Sequence, residues 1–264
     1  MRIGNKEFLN KTYIMGILNI TPDSFSDGSL YNGLDRALVR TEEMILEGAD
    51  IIDVGGESTR PGYTKISDEE EIERIAPVIE RIKAEFDITV SVDTYKSKVL
   101  EAAAQAGADM VNDIWGFKYD RDLASIAAKY DMAACLMHNR KRAEYKNLTD
   151  DVISDLSDSI QIAKSKGVDR IIVDPGVGFA KSYEENIEII KNIDELKRLN
   201  CPILLGVSRK SVIGITLNED THNRLEGTIA LSAYATMKGC NFLRVHDVKE
   251  NKRAVMMIER VMDK

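Results

Sequence analysis

Short apolar runs that stop abruptly on a polar or charged residue recur along this chain, separated by stretches whose apolar residues fall at helical spacing. The run Ile14 to Ile17 has the length of a strand buried on both faces, and Pro22 with the Asp, Ser and Gly residues after it forbids its continuation. It therefore delivers Asn19 to a strand end and a polar loop. The same event is repeated at Asp50 to Val54, Thr89 to Asp93, Ala108 to Asn112, Met132 to Met137, Arg170 to Asp174, Ile203 to Val207 and Phe242 to Val245. Between these runs, Leu34, Ala37, Leu38, Met44 and Ile45 predict a helix, and so do Ile72, Ile75, Ile79 and Ile82 behind the capping-box pair Ser67 and Glu70. Further helices are expected before Gly107, near 121–130, over Val152 to Ala163, over Ile187 to Leu196 and around Val255, Ile258 and Val261. Pro77, inside the second helical pattern, predicts a kink or a restart.

Eight strands alternating with helical stretches require parallel pairing, because each return must cross over through a helix. At roughly 33 residues per unit the pattern predicts an α/β fold of the (β/α)8 TIM barrel type. Gly48, Gly107, Gly167 and Gly239 each sit between a helix and an even-numbered strand, where a helix-terminating glycine is expected. No Pro/Ser-rich linker or compositional break divides the chain, so residues 1–264 are read as a single domain.

Composition narrows the function. The 264 residues are 44% hydrophobic and 30% charged with a net charge of −8, so a global basic field for nucleic acid or anionic membrane is absent. An anionic ligand must be held by local cations. The first residues lack the apolar core of a signal peptide and no run has the length of a membrane helix, which leads to the expectation of a cytoplasmic protein. Cys135, Cys201 and Cys240 lie in or beside apolar strands without CxxC spacing and are read as reduced core residues.

In a parallel barrel the site is built at the carboxyl face, so the strand ends supply its candidates. They are Asn19; Asp53, with Thr59 and Arg60 in the loop after it; Asp93; Asn112; His138; Asp174; Lys210 with Ser208 and Ser211; and Arg244 with His246. Taken alone, Asp53 or Asp113 reads as a cap of the following turn. Together, Asp93, Asn112 and Asp174 suit a flat heterocycle with several N–H and C=O groups, while Arg60, Lys210, Arg244 and His246 suit a phosphate. Arg244 sits inside the apolar run FLRVHDV, where an unpaired charge is costly, and strand alternation turns His246 to the same side. Lys181 and Lys238 read as solvated helix-face lysines, His138 as a positioned loop residue and His222 as a solvated one. Zinc spacing and nucleotide-binding glycine motifs are absent. Asn19 offers one neutral oxygen, enough for a magnesium ion whose other ligands are waters and phosphate oxygens.

The strand-end motifs LNITPDSFSDG, GGESTRPG, SVDTYK, VNDIWG, DPGVGF, GVSRKS, RLEGT and RVHDV, in this order, closely resemble the dihydropteroate synthase family over essentially the whole chain. The resemblance implies a (β/α)8 barrel that joins a dihydropterin methyl diphosphate to p-aminobenzoate and releases pyrophosphate, with magnesium and as a homodimer. It implies that Asn19 binds the metal, that Arg60, Arg244 and His246 take the diphosphate charge, and that Asp174, Asn112 and Lys210 grip the pterin ring. It further implies that Asp93 stabilises positive charge on that ring, that Thr59 contacts substrate, and that Phe25, Pro61, Phe179 and Ser211 line the p-aminobenzoate pocket. Ser29 departs from the second glycine common in the family's first loop.

Three rival readings share part of the pattern. A pterin-binding methyltransferase would use Asp93, Asn112 and Asp174 without a diphosphate clamp, a Schiff-base aldolase would use Lys210 as its nucleophile, and a silent pterin-binding protein would need no chemistry.

Overall fold

The computed structural model describes residues 1–9, 11–20, 30–57 and 65–263. Thr59, Arg60, Pro61, Phe25 and Ser29, which the sequence marks for the first two loops, lie outside the described residues. A small antiparallel hairpin, β1 (Arg2–Ile3) and β2 (Lys6–Glu7), precedes the barrel. The barrel strands are β3 (Tyr13–Asn19), β4 (Ile51–Gly55), β5 (Thr89–Asp93), β6 (Met110–Asp113), β7 (Ala133–Met137), β8 (Ile171–Asp174), β9 (Leu204–Leu205) and β10 (Phe242–Val245). They pair in parallel in the order β8-β7-β6-β5-β4-β3-β10-β9. A single bridge between Val173 and Ile203, with the Val173 amide donating to the Pro202 carbonyl at 2.9 Å, closes the ring between β8 and β9. The expected α/β (β/α)8 barrel is therefore present as one domain.

The helices are α1 (Leu30–Glu47), α2 (Asp68–Glu85), α3 (Ser97–Gln105), α4 (Leu123–Lys129), α5 (Leu148–Ser165), α6 (Tyr183–Lys191), α7 (Ser211–Leu217), α8 (Leu225–Lys238) and α9 (Val248–Val261). The four inter-element glycines all take positive φ, the backbone form that ends a helix cheaply only at glycine. Helix α2 runs unbroken across Pro77, so the expected restart does not occur. Pro77 lies on the exposed face, where water can serve the carbonyl left without its donor. The helix expected over Ile187 to Leu196 changes character at Asn192, passing from α6 into a 3-10 segment, Ile193–Leu199, and Ile187 is 40% exposed rather than core.

Strand alternation sorts the core into two shells. Outward residues such as Ile14, Ile52, Val90, Val111, Leu136 and Val173 pack under the helices. Inward residues Met15, Ile51, Met110, Ala133, Ile172, Leu204 and Phe242 form a separate lumen cluster, sealed from below by Ile3 and Phe8 of the hairpin segment. Cys135 and Cys240 are buried free thiols as expected, whereas Cys201 is only half-buried.

Candidate active site

One step up from the lumen floor, the inward positions of four strands become polar. Asp53 lies two residues above Ile51, Asn112 above Met110, Asp174 above Ile172 and Arg244 above Phe242, and β5 carries Thr89, Ser91 and Asp93 on the same parity. The parallel register then sets these side chains side by side: Asn19 pairs with Gly55, Gly55 with Asp93, and Asp93 with Asn112. A Cβ built on Gly55 would lie 3.5 Å from the Asp93 Cβ and 3.8 Å from Asn19 Oδ1. A Cβ on Gly206 would meet Asp174 Oδ2 at 3.5 Å and both the Arg244 Cβ and Lys210 Nζ at 3.9 Å. Both glycines thus leave space where the polar groups converge.

Arg244 is the hub. Its Nε donates to Asp53 Oδ2 and its terminal nitrogen to Asp93 Oδ2, each at 2.6 Å, and Asn112 Nδ2 donates to the same Asp53 oxygen at 3.2 Å. Burial opposes the charge of Arg244, yet Asp53 and Asp93 hold its pKa above the ordinary value. Burial, countered by Arg244, pushes Asp93 up to about 7. Oδ1 of Asp53 and Oδ1 of Asp93 are buried with no hydrogen-bond partner among the described residues. Buried acceptors left unpaired are costly, and two at one rim are suited to a ligand edge rich in N–H groups.

Asp174 accepts the Gly176 amide at 2.7 Å through Oδ1, and burial raises its pKa against the pull of Lys210 and that amide. Lys210 donates to the Val177 carbonyl at 2.5 Å and lies 4.9 Å from the centre of the Phe179 ring. Burial brings its pKa down to about 8, with Asp174 working to keep it charged. His246 pairs with Ser208, Nδ1 to Oγ at 3.0 Å, and its backbone amide donates to the same oxygen at 3.2 Å. Ser211, the first residue of α7, is exposed beside Lys210. The rim therefore gathers Asn19, Asp93, Asn112, Asp174, Lys210, Arg244 and His246, with the Phe179 ring beneath the lysine. Asn19 presents a hard oxygen donor close to Asp93, which fits a magnesium ion carried mainly by water and ligand oxygens.

Asp53 belongs to this set although its sequence alone reads as a cap. Its parity, shared with Asp93 two strand positions from a floor residue, is the signal that distinguishes it. Asp113 has the opposite parity and accepts the backbone amides of Trp115 and Phe117 at 2.9 and 2.6 Å. Lys181 is not a solvated helix lysine. It sits in the loop before α6, donates to the Gly176 and Phe179 carbonyls, both at 3.1 Å, and meets His138 Nδ1 at 2.9 Å. His138 is a positioned residue as expected: its side chain is fully buried and Nε2 pairs with Asp155 at 3.0 Å.

A closed parallel barrel whose rim sets acids, an amide and cations around one opening has the build of a small-molecule enzyme, and the pterin binding enzyme family model, which matches residues 15–246, places its class among the pterin-binding enzymes. The chain is 57% identical to a dihydropteroate synthase of Clostridium beijerinckii over 99% of both chains, and 48% identical to that of Bacillus subtilis over 97% of this chain and 91% of the relative. Its structure is similar to a dihydropteroate synthase from Clostridium difficile solved in the presence of pteroic acid, with a TM-score of 0.95 and 48% identity over 98% and 100% of the two chains. A Xanthomonas albilineans dihydropteroate synthase with 4-aminobenzoic acid gives a TM-score of 0.91 at 37% identity, over 97% and 94%. The chain belongs to the dihydropteroate synthase family of pterin-binding enzymes.

Proposed function

We propose that this protein is a transferase that condenses (7,8-dihydropterin-6-yl)methyl diphosphate with p-aminobenzoate, giving 7,8-dihydropteroate and pyrophosphate. The observation that carries this reading is the rim: Asp53 and Asp93 each keep a buried oxygen without a partner among the described residues, and Asp174 and Lys210 flank the space over Gly206, a set suited to the amidine-like edge and carbonyl of a pterin. Asn112, Asp174 and Lys210 would hold the ring, and Asp53 joins them through the bonds it makes to Asn112 and Arg244. The relatives with pteroic acid and 4-aminobenzoic acid support the two substrate classes.

In the reaction the methylene C–O bond breaks with its electron pair leaving on the diphosphate, and the amine lone pair forms the new C–N bond before the nitrogen loses a proton. Arg244, Arg60 and His246 would take the departing charge, and Asp93 would stabilise the electron-poor pterin. A magnesium ion held at Asn19 would offset the charge of the diphosphate. An aromatic amine is already unprotonated at neutral pH, so no strong general base is needed. Thr59 would contact substrate, and Phe25, Pro61, Phe179 and Ser211 would line the p-aminobenzoate side.

A homodimer fits the exposed Ile187, Ile215, Leu217 and Met237, which lie on the consecutive helices α6, α7 and α8. A cytoplasmic location fits the free cysteines, and among the described residues no helix is long and apolar enough to cross a membrane. The test is pyrophosphate release from the pterin diphosphate, with and without magnesium and p-aminobenzoate. Release that requires both is expected; pterin binding without any release would leave only a binding protein.

A further inference from the structure

Between β8 and α6 the chain does something that the substrate-facing residues do not require. Gly176, Gly178 and Ala180 all take positive φ, with values of 69°, 85° and 45°, so the backbone reverses its carbonyl direction repeatedly within a few residues. A Cβ at Gly176 would collide with the His138 carbonyl, which ties this curl to the end of β7. The curled loop brings the Gly176 and Phe179 carbonyls onto one atom, Lys181 Nζ, whose third partner is His138 Nδ1. An ammonium has three donors, and here three acceptors use them. For Nδ1 to accept from the lysine, the imidazole must carry its proton on Nε2, which faces Asp155 Oδ2 at 3.0 Å. Asp155 is itself held by Arg140 Nε at 2.6 Å. A relay therefore runs from the half-buried Asp155 of α5 through the fully buried His138 to Lys181.

The loop that this relay grips touches the site at both ends. Its Gly176 amide donates to Asp174, its Val177 carbonyl accepts Lys210, and its Phe179 ring lies beneath the same lysine. We propose that Lys181, oriented by His138 and Asp155, is a positioning residue that fixes the loop presenting Phe179 and the Val177 carbonyl to Lys210. This deepens the functional reading above and rests on it for which substrate is affected: Phe179 is held directly through its own carbonyl, so the p-aminobenzoate side loses most when the staple is removed. The pterin side keeps Asp53 and Asp93, whose bonds run to side chains of other strands, and Asp174 stays anchored on β8 although one of its oxygens accepts the loop's Gly176 amide.

Two readouts separate the staple from the functional reading. Hydrogen exchange of the segment 175–182 in the substrate-free protein reports the loop without turnover, and steady-state kinetics report the substrate. Lys181→Met keeps the aliphatic stem and deletes the donors. It is expected to speed exchange of this segment by about tenfold and to raise the p-aminobenzoate KM by about tenfold, as for a lost buried charged hydrogen bond, while pterin binding stays within about threefold. His138→Gln, whose amide oxygen can still accept from the lysine, is expected to retain most of the wild-type behaviour, and His138→Leu to resemble Lys181→Met. Unchanged exchange in Lys181→Met would overturn the staple itself. Faster exchange with an unchanged p-aminobenzoate KM, or with pterin affinity falling in equal proportion, would overturn its assignment to the amine side. Faster exchange in a protein whose wild type releases no pyrophosphate would retire the functional reading and leave the staple standing.

Discussion

Asp53 and Asp113 are both buried strand residues, at 0% and 1% exposure, yet they belong to different regions and do different work. Asp113 faces the helix shell and is satisfied by two backbone amides of its own turn, with burial pushing its carboxyl up to about 7. Asp53 faces the lumen, shares one oxygen between Arg244 and Asn112, and leaves the other without a partner among the described residues. Burial therefore does not separate a structural acid from a ligand-facing one. Strand parity and the kind of partner do: main-chain amides close a turn, whereas side chains from two other strands build a site. The same division runs through the barrel, with apolar residues toward the helices and a polar upper tier toward the opening.

The largest effect should come from removing the hub of the lumen tier. Arg244→Ala leaves Asp53 and Asp93 buried side by side without their cation, and breaking a buried pair costs about 3–5 kcal/mol. Turnover is expected to vanish and the melting temperature to fall; wild-type kinetics in a folded Arg244→Ala protein would sink the assignment. Lys210→Ala tests the same tier at lower structural cost, since among the described residues the lysine donates to a single carbonyl. It too should abolish turnover, while the fold survives in a denaturation experiment.

Next comes the floor beneath the tier. Ile3 is fully buried against the lumen cluster, and truncating such a residue to alanine costs about 2–5 kcal/mol. Urea titration of Ile3→Ala should register that loss with KM values unchanged, because no floor residue reaches the rim; altered substrate affinity would show that floor and rim are coupled. A smaller effect is expected on the helix side, where Asp113→Ala leaves two backbone donors unpaired at about 1–3 kcal/mol. Its kinetics should match wild type, while Asp53→Ala should lose pterin affinity. Equal kinetic loss in both would erase the distinction drawn between the two faces.

Much of this division is written in the chain. Parallel strands buried on both faces read as apolar runs, so the eight barrel strands and the strand-end residues Asn19, Asp93, Asn112, Asp174, Arg244 and His246 are legible from the pattern. The hairpin plug is not, because two-residue strands carry no periodicity. Its one signal is Gly4-Asn5 between Ile3 and Lys6, a two-residue turn with Gly4 at a φ of 57°. Lys181 is misread for another reason. A lysine near a helix start looks solvated, and only the alternation of left-handed backbone before it, invisible in composition, brings two carbonyls and a histidine to its ammonium.

The smallest predicted effect concerns the pH dependence of that relay. Burial, with the positive charges of Lys181 and Arg140, lowers His138 to about 4, and only Asp155 opposes them. A histidine whose folded pKa is depressed contributes stability that is fully present above the unfolded value of about 6.5 and is lost as pH falls, because the unfolded chain takes up the proton first. Between pH of about 6.5 and 4 the slope amounts to at most about 1.4 kcal/mol per unit from this one site. Replacing His138 by Gln removes the titration while keeping an acceptor for Lys181, so the variant should lose stability less steeply than wild type across that window. Identical slopes in the two proteins, measured by urea titration at stepped pH, would mean that His138 takes up its proton in the fold as readily as in the open chain. The imidazole on which the Lys181 staple depends would then gain a proton on Nδ1, and the staple would be lost, already as pH falls through about 6.5.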